Sequence, residues 1–238
     1  MGKISDIRTK LMGEIMTSEK TLPTVAILGG TGNEGPGLAL RCAHLGYRVL
    51  IGSRQKEKAE ATSDKLNGQL GIDTILGFEN GEAARKANIC VLTVVHTAHK
   101  QAIESLKSDL QGKILVDATA RVDFPDAKPP SPPSAARLAQ EKLGLGVRVV
   151  AAFQNVPASA LHKKLDQPLE VDVLVCADDP GAAEIVSQLI EALGMNAYFA
   201  GNLDNAIVVE GLTAILISMN KYYRSRTASI QVSGISKE

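Results

Sequence analysis

Val25-Ala26-Ile27-Leu28-Gly29-Gly30-Thr31-Gly32-Asn33-Glu34-Gly35 is the stretch whose reading decides the fold. Four apolar residues suited to a buried strand run into Gly30-x-Gly32-x-x-Gly35, and a helix-compatible run with Leu38, Ala39 and Leu45 follows. Strand, glycine turn and helix in that order form the dinucleotide-binding fingerprint. Gly30 is expected to permit the tight turn, Gly32 to let backbone approach a pyrophosphate, and Gly35 to let helix pack closely on strand. Thr31, Asn33 and Glu34 belong to the same turn. A second apolar run, Val49-Leu50-Ile51, leads into Gly52-Ser53-Arg54. A site selective for NAD carries Asp or Glu there, about 20 residues on, to bond the ribose 2′-hydroxyl. A hydroxyl (Ser53) and cations (Arg54, with Lys56 and Lys58 behind it) suit a 2′-phosphate instead, so the pattern reads as an NADP site.

Composition narrows the classes. At 238 residues the chain can hold one large domain, or a nucleotide domain with a smaller partner, and 45% hydrophobic residues are ample for a core. Lys plus Arg and Asp plus Glu number 26 each, which leaves no global field for nucleic acid or an anionic membrane. Trp is absent and aromatics make up 3%, so stacking platforms for single strands are not expected. Cys42, Cys90 and Cys176 are far apart and lack metal-ligand spacing, which reads as reduced core thiols in a cytoplasmic protein. Residues 1–23 read as an N-terminal extension without a signal-peptide core. The longest apolar run, Ala206 to Met219, is interrupted by Glu210 and Gly211 and falls short of a bilayer span, so it reads as a buried helix.

Along the chain, short apolar runs alternate with amphipathic ones, the mark of βαβ units. Strands are expected at 24–28, 48–52, 74–77, 89–94 and 113–117, then at 147–153, 171–177 and 196–199. Helices are expected at 37–45, 56–66, 80–86, 98–109, 134–143, 180–193 and 205–220. The layout predicts an α/β fold: a Rossmann-type, doubly wound parallel sheet with a small C-terminal α/β extension. An NADP-binding domain over 24–150 would precede a smaller region over 151–238. Prolines 125, 129, 130, 132 and 133 break the rhythm; that segment is either an inert connector or a loop at the mouth of the site. The last helix is apolar nearly all round, which predicts coverage by a partner subunit and hence a homodimer.

In an open parallel sheet the ligand lies outside the carboxyl ends of the strands. That puts Thr93 and Val94 at the end of the fourth strand, Val95 and His96 just after it, and Ala118 after the fifth, at the expected cofactor edge. His96 reads equally as a pocket-lining residue or a plain loop histidine. His99 reads as structural, and His44 and His162 as surface or packing residues. The amides of Gln154 and Asn155 could bond a ligand carboxamide or ring carbonyl, with turn chemistry as the alternative. Asp178-Asp179 before Pro180 reads as an acidic helix start, not a metal site.

Several of these motifs in one order resemble a known family. Gly29-Gly30-Thr31-Gly32-Asn33, Gly52-Ser53-Arg54 with Lys58, and Val91-Leu92-Thr93-Val94 are joined by Leu115-Val116-Asp117 and Ala152-Phe153-Gln154-Asn155-Val156-Pro157-Ala158. Glu210-Gly211-Leu212-Thr213 completes the set. The chain is similar in these to the NADPH-dependent reductases of coenzyme F420, the 8-hydroxy-5-deazaflavin carrier of hydride. The resemblance implies NADP(H) as cofactor, F420 as co-substrate, a 2′-phosphate held by Ser53, Arg54 and Lys58, and a deazaflavin against Gln154, Asn155, Val156, Pro157 and Ala158. Some members have His-Thr in place of Gln154-Asn155 and Pro plus an aromatic residue in place of Val95-His96. Hydride transfer needs proximity and exclusion of water more than a nucleophile or metal, so no catalytic side chain is assigned. The partners implied are small-molecule redox carriers. An NADPH-dependent reductase of another flavin or of a small carbonyl or imine compound, and a non-catalytic NADP-sensing regulator, are the alternatives.

Overall fold

The computed structural model describes residues 22–123 and 127–236; most of the N-terminal extension lies outside the described residues. Eight strands form one sheet: β1 (Val25–Leu28), β2 (Val49–Ser53), β3 (Ile75–Glu79), β4 (Ile89–Leu92), β5 (Ile114–Asp117), β6 (Arg148–Ala151), β7 (Asp172–Ala177) and β8 (Asn196–Phe199). Their order is β3-β2-β1-β4-β5-β6-β7-β8, and every neighbouring pair is parallel except β6–β7. The helices are α1 (Gly35–His44), α2 (Lys56–Leu70), α3 (Asn80–Lys86), α4 (His96–Leu106), α5 (Ala135–Leu143), α6 (Ala158–Leu161), α7 (Pro180–Ala192) and α8 (Ala206–Tyr222). The expected α/β doubly wound fold is the observed one. The expected boundary at residue 150 falls inside β6, and the sheet continues across it through the β6–β7 pair.

The central strands β1 and β4 are apolar along their whole length, and β2 and β5 along most of theirs, because both faces are covered, whereas the edge strands β3 and β8 are partly exposed. Val25, Ile27, Val49, Ile51, Val91 and Val116 point into one buried cluster, and Ala26, Leu28, Leu50, Leu92 and Leu115 into the other. Parallel register then aligns the strand ends. Leu28 pairs with Leu92, Leu92 with Asp117, and Asp117 with Ala151. Gly29, Thr93, Ala118 and Ala152, each one residue further, therefore share one edge of the sheet. The chain winds outward from β1 in both directions, so the switch point lies between β1 and β4, where a crevice opens.

Three parts of the fold differ from the sequence reading. The fourth strand ends at Leu92, not Val94, and α4 starts at His96: Thr93 N still bonds Leu28 O, and Val94 then passes beneath the glycine turn. β7 runs antiparallel to β6, and the connection between them carries only the four-residue α6 in place of a full crossover helix. The apolar C-terminal helix is buried on one side only. Val209, Glu210 and Ala214 are buried, whereas Val208, Ile215, Met219 and Tyr222 are exposed. With the 3-10 turn before it, the segment Leu203–Tyr222 has 20 residues, long and apolar enough by length and composition to cross a membrane, with 39% of its most apolar window buried. Length and composition alone do not make this segment a membrane span, and its burial within the single chain is one-sided rather than all round.

Candidate functional site

The glycine turn leaves β1 at the switch point, and its glycines divide the labour differently from the fingerprint's usual reading. The left-handed residue is Gly29 (φ +71), not Gly30, and a Cβ there would lie 2.6 Å from Val94 Cγ1. A Cβ on Gly35 would lie 2.6 Å from Gly30 Cα, so α1 starts where only a glycine pair fits. Gly32 is exposed, and nothing stands within 3.7 Å of the place its Cβ would take. That open face is where backbone can approach a bulky anion. Gly30 N donates to Gly52 O (2.9 Å) and Gly29 N to Asn80 Oδ1 (3.0 Å), which ties the turn to β2 and to the start of α3.

No side chain caps the amino end of α1, so its first amides and its positive dipole end face the turn. Thr31 is half-buried and Asn33 exposed. Glu34 stands at the N-cap with its Oε1 buried and without a partner. Burial pushes the Glu34 carboxyl up to about 8, so near neutral pH it is largely uncharged beside a site built for an anion.

At the end of β2, Ser53 is buried and its Oγ accepts from Gln55 N (3.2 Å), while Arg54 and Lys58 are exposed. A cavity of about 230 Å³ opens here, lined by Ser53, Arg54, Glu79, Asn80 and Ser105 among others. Lys58 stands on the first turn of α2 and is not among the lining residues. Glu79, the register partner of Ser53, lines the same cavity and brings a carboxylate to it beside the Arg54 cation.

Thr93 donates through both N and Oγ1 to Leu28 O (2.9 and 3.2 Å), which clamps β4 to β1 below the turn. Val94 packs under Gly29, Val95 is exposed, and His96 Nε2 lies 2.9 Å from the exposed Asp123. Ala118 is buried, its N bonded to Leu92 O (3.1 Å). Phe153, just past β6, takes φ +76 although fully buried, a conformation that costs a bulky residue of order 1 kcal/mol or more. It turns the chain out of the sheet into Gln154–Ala158. Gln154 Nε2 donates to Asp117 O (2.8 Å) and Asn155 Nδ2 to Asp172 O (2.7 Å), so both amides brace the turn. Their oxygens, with Thr119 Oγ1, are buried and without partners. Unsatisfied buried acceptors are rare enough to need an explanation, and a ligand bearing N–H or O–H groups is one. Val156 is buried, and Pro157 and Ala158 are half-buried at the start of α6.

Beneath this edge lies a charged layer. His99 Nε2 meets Asp117 Oδ2 at 2.7 Å, and Asp117 Oδ1 accepts from Thr119 N. Burial alone would lower the His99 pKa, but the bond to Asp117 and its charge outweigh that and raise it. Glu210, fully buried on α8, accepts from Ala135 N (2.5 Å) at the start of α5 and from Arg121 N and Nε. Burial raises its pKa against those bonds. Arg121 thus fixes the start of the proline segment on α8. These residues read as supports, which agrees with the structural reading of His99.

Sequence reasoning passed over three contributors. Asn80 holds Gly29, and its only signal was its place at the end of a strand. His162, read as surface or packing, has Nε2 3.4 Å from Asn33 O and lies against Gly37, beside the dinucleotide turn. Arg41 sits 2% exposed on an otherwise apolar stretch of α1, and that lone charge was the signal. Among the described residues no group of His, Cys, Asp or Glu is arranged to hold a metal.

Known proteins align with this architecture. The model of the family described as "NADP oxidoreductase coenzyme F420-dependent" matches residues 24–121. A protein named F420-dependent NADP reductase from Methanocaldococcus jannaschii is 38% identical over 223 residues, 89% of this chain and 98% of that one. One of the same name from Methanothermobacter marburgensis is 37% identical with the same coverage. A solved structure from Arthrobacter sp. FB24, 23% identical, covers 90% of this chain and 100% of that one with a TM-score of 0.76, which shows the shared fold.

Proposed function

The chain belongs to the family of coenzyme F420-dependent NADP reductases, and from that premise we infer that it is an oxidoreductase transferring hydride between NADP(H) and coenzyme F420. Reduction of another flavin, of a carbonyl or imine compound, and NADP sensing without catalysis are not favoured by these relatives. The observation that carries the reading is the common edge at Gly29, Thr93, Ala118 and Ala152, where an open glycine turn and three orphaned acceptors meet. Bound there, the nicotinamide and the deazaflavin would themselves supply the hydride chemistry. The residues of the chain bind, orient and exclude water.

For the dinucleotide we assign Gly30, Thr31, Gly32, Asn33 and Glu34 with the α1 amides to the pyrophosphate, and Ser53, Arg54 and Lys58 to the 2′-phosphate. The cation and buried hydroxyl at the end of β2 support this assignment. Thr93, Val94, Val95, His96 and Ala118 would line the nicotinamide. Gln154, Asn155, Val156, Pro157 and Ala158 would form the wall for the deazaflavin, with the oxygens of Gln154 and Thr119 offered to N–H donors. The residues 24–150 would serve mainly the dinucleotide and 151–238 the acceptor and subunit contact. The exposed Val208, Ile215, Met219 and Tyr222 support a homodimer built on α8. Three free, buried cysteines suit a cytoplasmic location.

The deciding experiment mixes the purified protein with NADPH and oxidised F420 and follows the visible absorbance of the deazaflavin. Bleaching that requires both protein and NADPH is expected. NADPH oxidation by other flavins or imines at comparable kcat/KM, with F420 inert, would overturn the acceptor assignment.

A further inference from the structure

Arg41 has the burial of a core residue and the partners of a clamp. Its guanidinium donates from Nε to Leu161 O (3.0 Å), from Nη2 to Lys163 O (2.7 Å) and from Nη1 to Leu193 O (3.2 Å). All three acceptors are backbone carbonyls at the carboxyl ends of α6 and α7, which the helices leave unsatisfied and where a cation is favoured. Arg41 itself belongs to α1, the helix whose amino end faces the glycine turn. Burial of so costly a group at three well-placed bonds suggests a demand for fixed spacing rather than for net stability.

A second contact enforces the same spacing independently. Gly37, on the first turn of α1, faces α6 so closely that a Cβ would stand 2.5 Å from Leu161 Cβ and 3.2 Å from His162 Nε2. On its other side α6 is tied by Ser159 Oγ to Arg226 O (2.8 Å). The helix begins at Ala158, directly after Gln154–Pro157, so whatever sets the distance from α6 to α1 sets the distance from that wall to the dinucleotide turn.

We propose that Arg41 is a positioning residue for the hydride acceptor, fixing the segment 154–163 against the dinucleotide helix without touching either substrate. The proposal rests on the acceptor assignment above. An ångström of misplacement in a reacting pair costs on the order of a hundredfold in rate. Arg41→Met should therefore lower kcat for F420 reduction by about that factor and raise the KM for F420, while the Kd of NADPH stays within about twofold. Arg41→Lys keeps the charge with fewer bonds and should recover part of kcat. Gly37→Ala, which pushes α6 away with Arg41 intact, should shift the same two constants in the same direction.

Amide hydrogen exchange on the apoprotein supplies a readout independent of the acceptor. Exchange over 158–163 should rise in Arg41→Met and Gly37→Ala while 25–35 keeps its protection. Equal loss of NADPH affinity and F420 turnover in soluble, folded Arg41→Lys and Gly37→Ala would overturn the proposal, as would unchanged kinetics in both. A wild-type protein that binds NADPH but leaves F420 untouched would instead overturn the acceptor assignment, and the exchange data would still decide whether Arg41 fixes the segment.

Discussion

Replacing Glu34 by Gln tests whether the dinucleotide turn is built around a neutral carboxyl. Burial raises this group from 4.5 to about 8 in the folded protein. In the unfolded chain it titrates near its ordinary value, so between about pH 4.5 and 8 the folded state holds a proton that the unfolded state has released. A raised folded pKa contributes stability that is fully present below the unfolded value and lost as pH climbs through the folded one. The difference corresponds to roughly 5 kcal/mol at ~1.36 kcal/mol per pH unit. The residue is half-buried, so solvent screening reduces that figure, and a loss of at least ~2 kcal/mol between pH 5 and 9 is expected from this group. Urea denaturation of both proteins at pH 5, 7 and 9 isolates it, since other titrating groups cancel in the difference. Glu34→Gln should match wild type at pH 5 and exceed it progressively toward pH 9. NADPH affinity should follow the same course, because the ionised carboxylate would stand by the pyrophosphate. Stability differences that are flat across this range would refute the reasoning.

The other predictions concern the cofactor, the acceptor and the assembly. Arg54→Ala should weaken NADPH by about tenfold or more, since charge-assisted bonds contribute about 1.5–3 kcal/mol each, and leave NADH nearly unchanged; titration by cofactor fluorescence reads both, and equal losses would make Arg54 structural. Ala158→Phe fills the space before α6 and should abolish F420 reduction while NADPH still binds; normal turnover would place the deazaflavin elsewhere. Light scattering at micromolar concentration should report about twice 25.2 kDa, and Ile215→Asp on the exposed face of α8 should shift it toward the monomer. A wild-type monomer would refute the dimer.

The fold was legible because its determinants are local. Runs that are apolar on both faces, such as Val25–Leu28 and residues 114–116, announce a covered parallel sheet before any tertiary contact is known. Where tertiary geometry overrides local pattern, the reading slipped. Val94 extends the apolar pattern of β4 past Thr93, yet the strand ends at Leu92 and Val94 packs beneath Gly29, a long-range contact that the local pattern does not show. The left-handed residue lies one position before the fingerprint's first glycine because Gly29 and Gly30 are both glycines, and sequence cannot say which of the two turns. Only the paired strand supplies the answer: Gly30 N bonds Gly52 O, which leaves the bend to Gly29.

The side proposed for the acceptor was harder to read for a related reason: its residues are supported from far away in sequence. The bonds that brace Gln154 and Asn155 reach 37 residues back to Asp117 and 17 forward to Asp172, and Thr213 Oγ1 caps the turn from 59 residues on by donating to Gln154 O. Arg41 reaches 120 and 122 residues to Leu161 and Lys163. Asp117 and Thr213 stand in segments that carry the family resemblance, but Asp172, Leu161 and Lys163 belong to no motif. What they share is the reversal of β7, which returns the chain antiparallel to β6 and so brings the start of β7 and the tail beyond α8 to the edge where the parallel strands end. Asp172 joins that edge to the tail through Ile230 O and Val232 N. A purely parallel extension would have carried Asp172 to the far edge, leaving Gln154–Ala158 without a floor. The single antiparallel pair is therefore what supports Gln154–Ala158, the segment proposed to face the second ring.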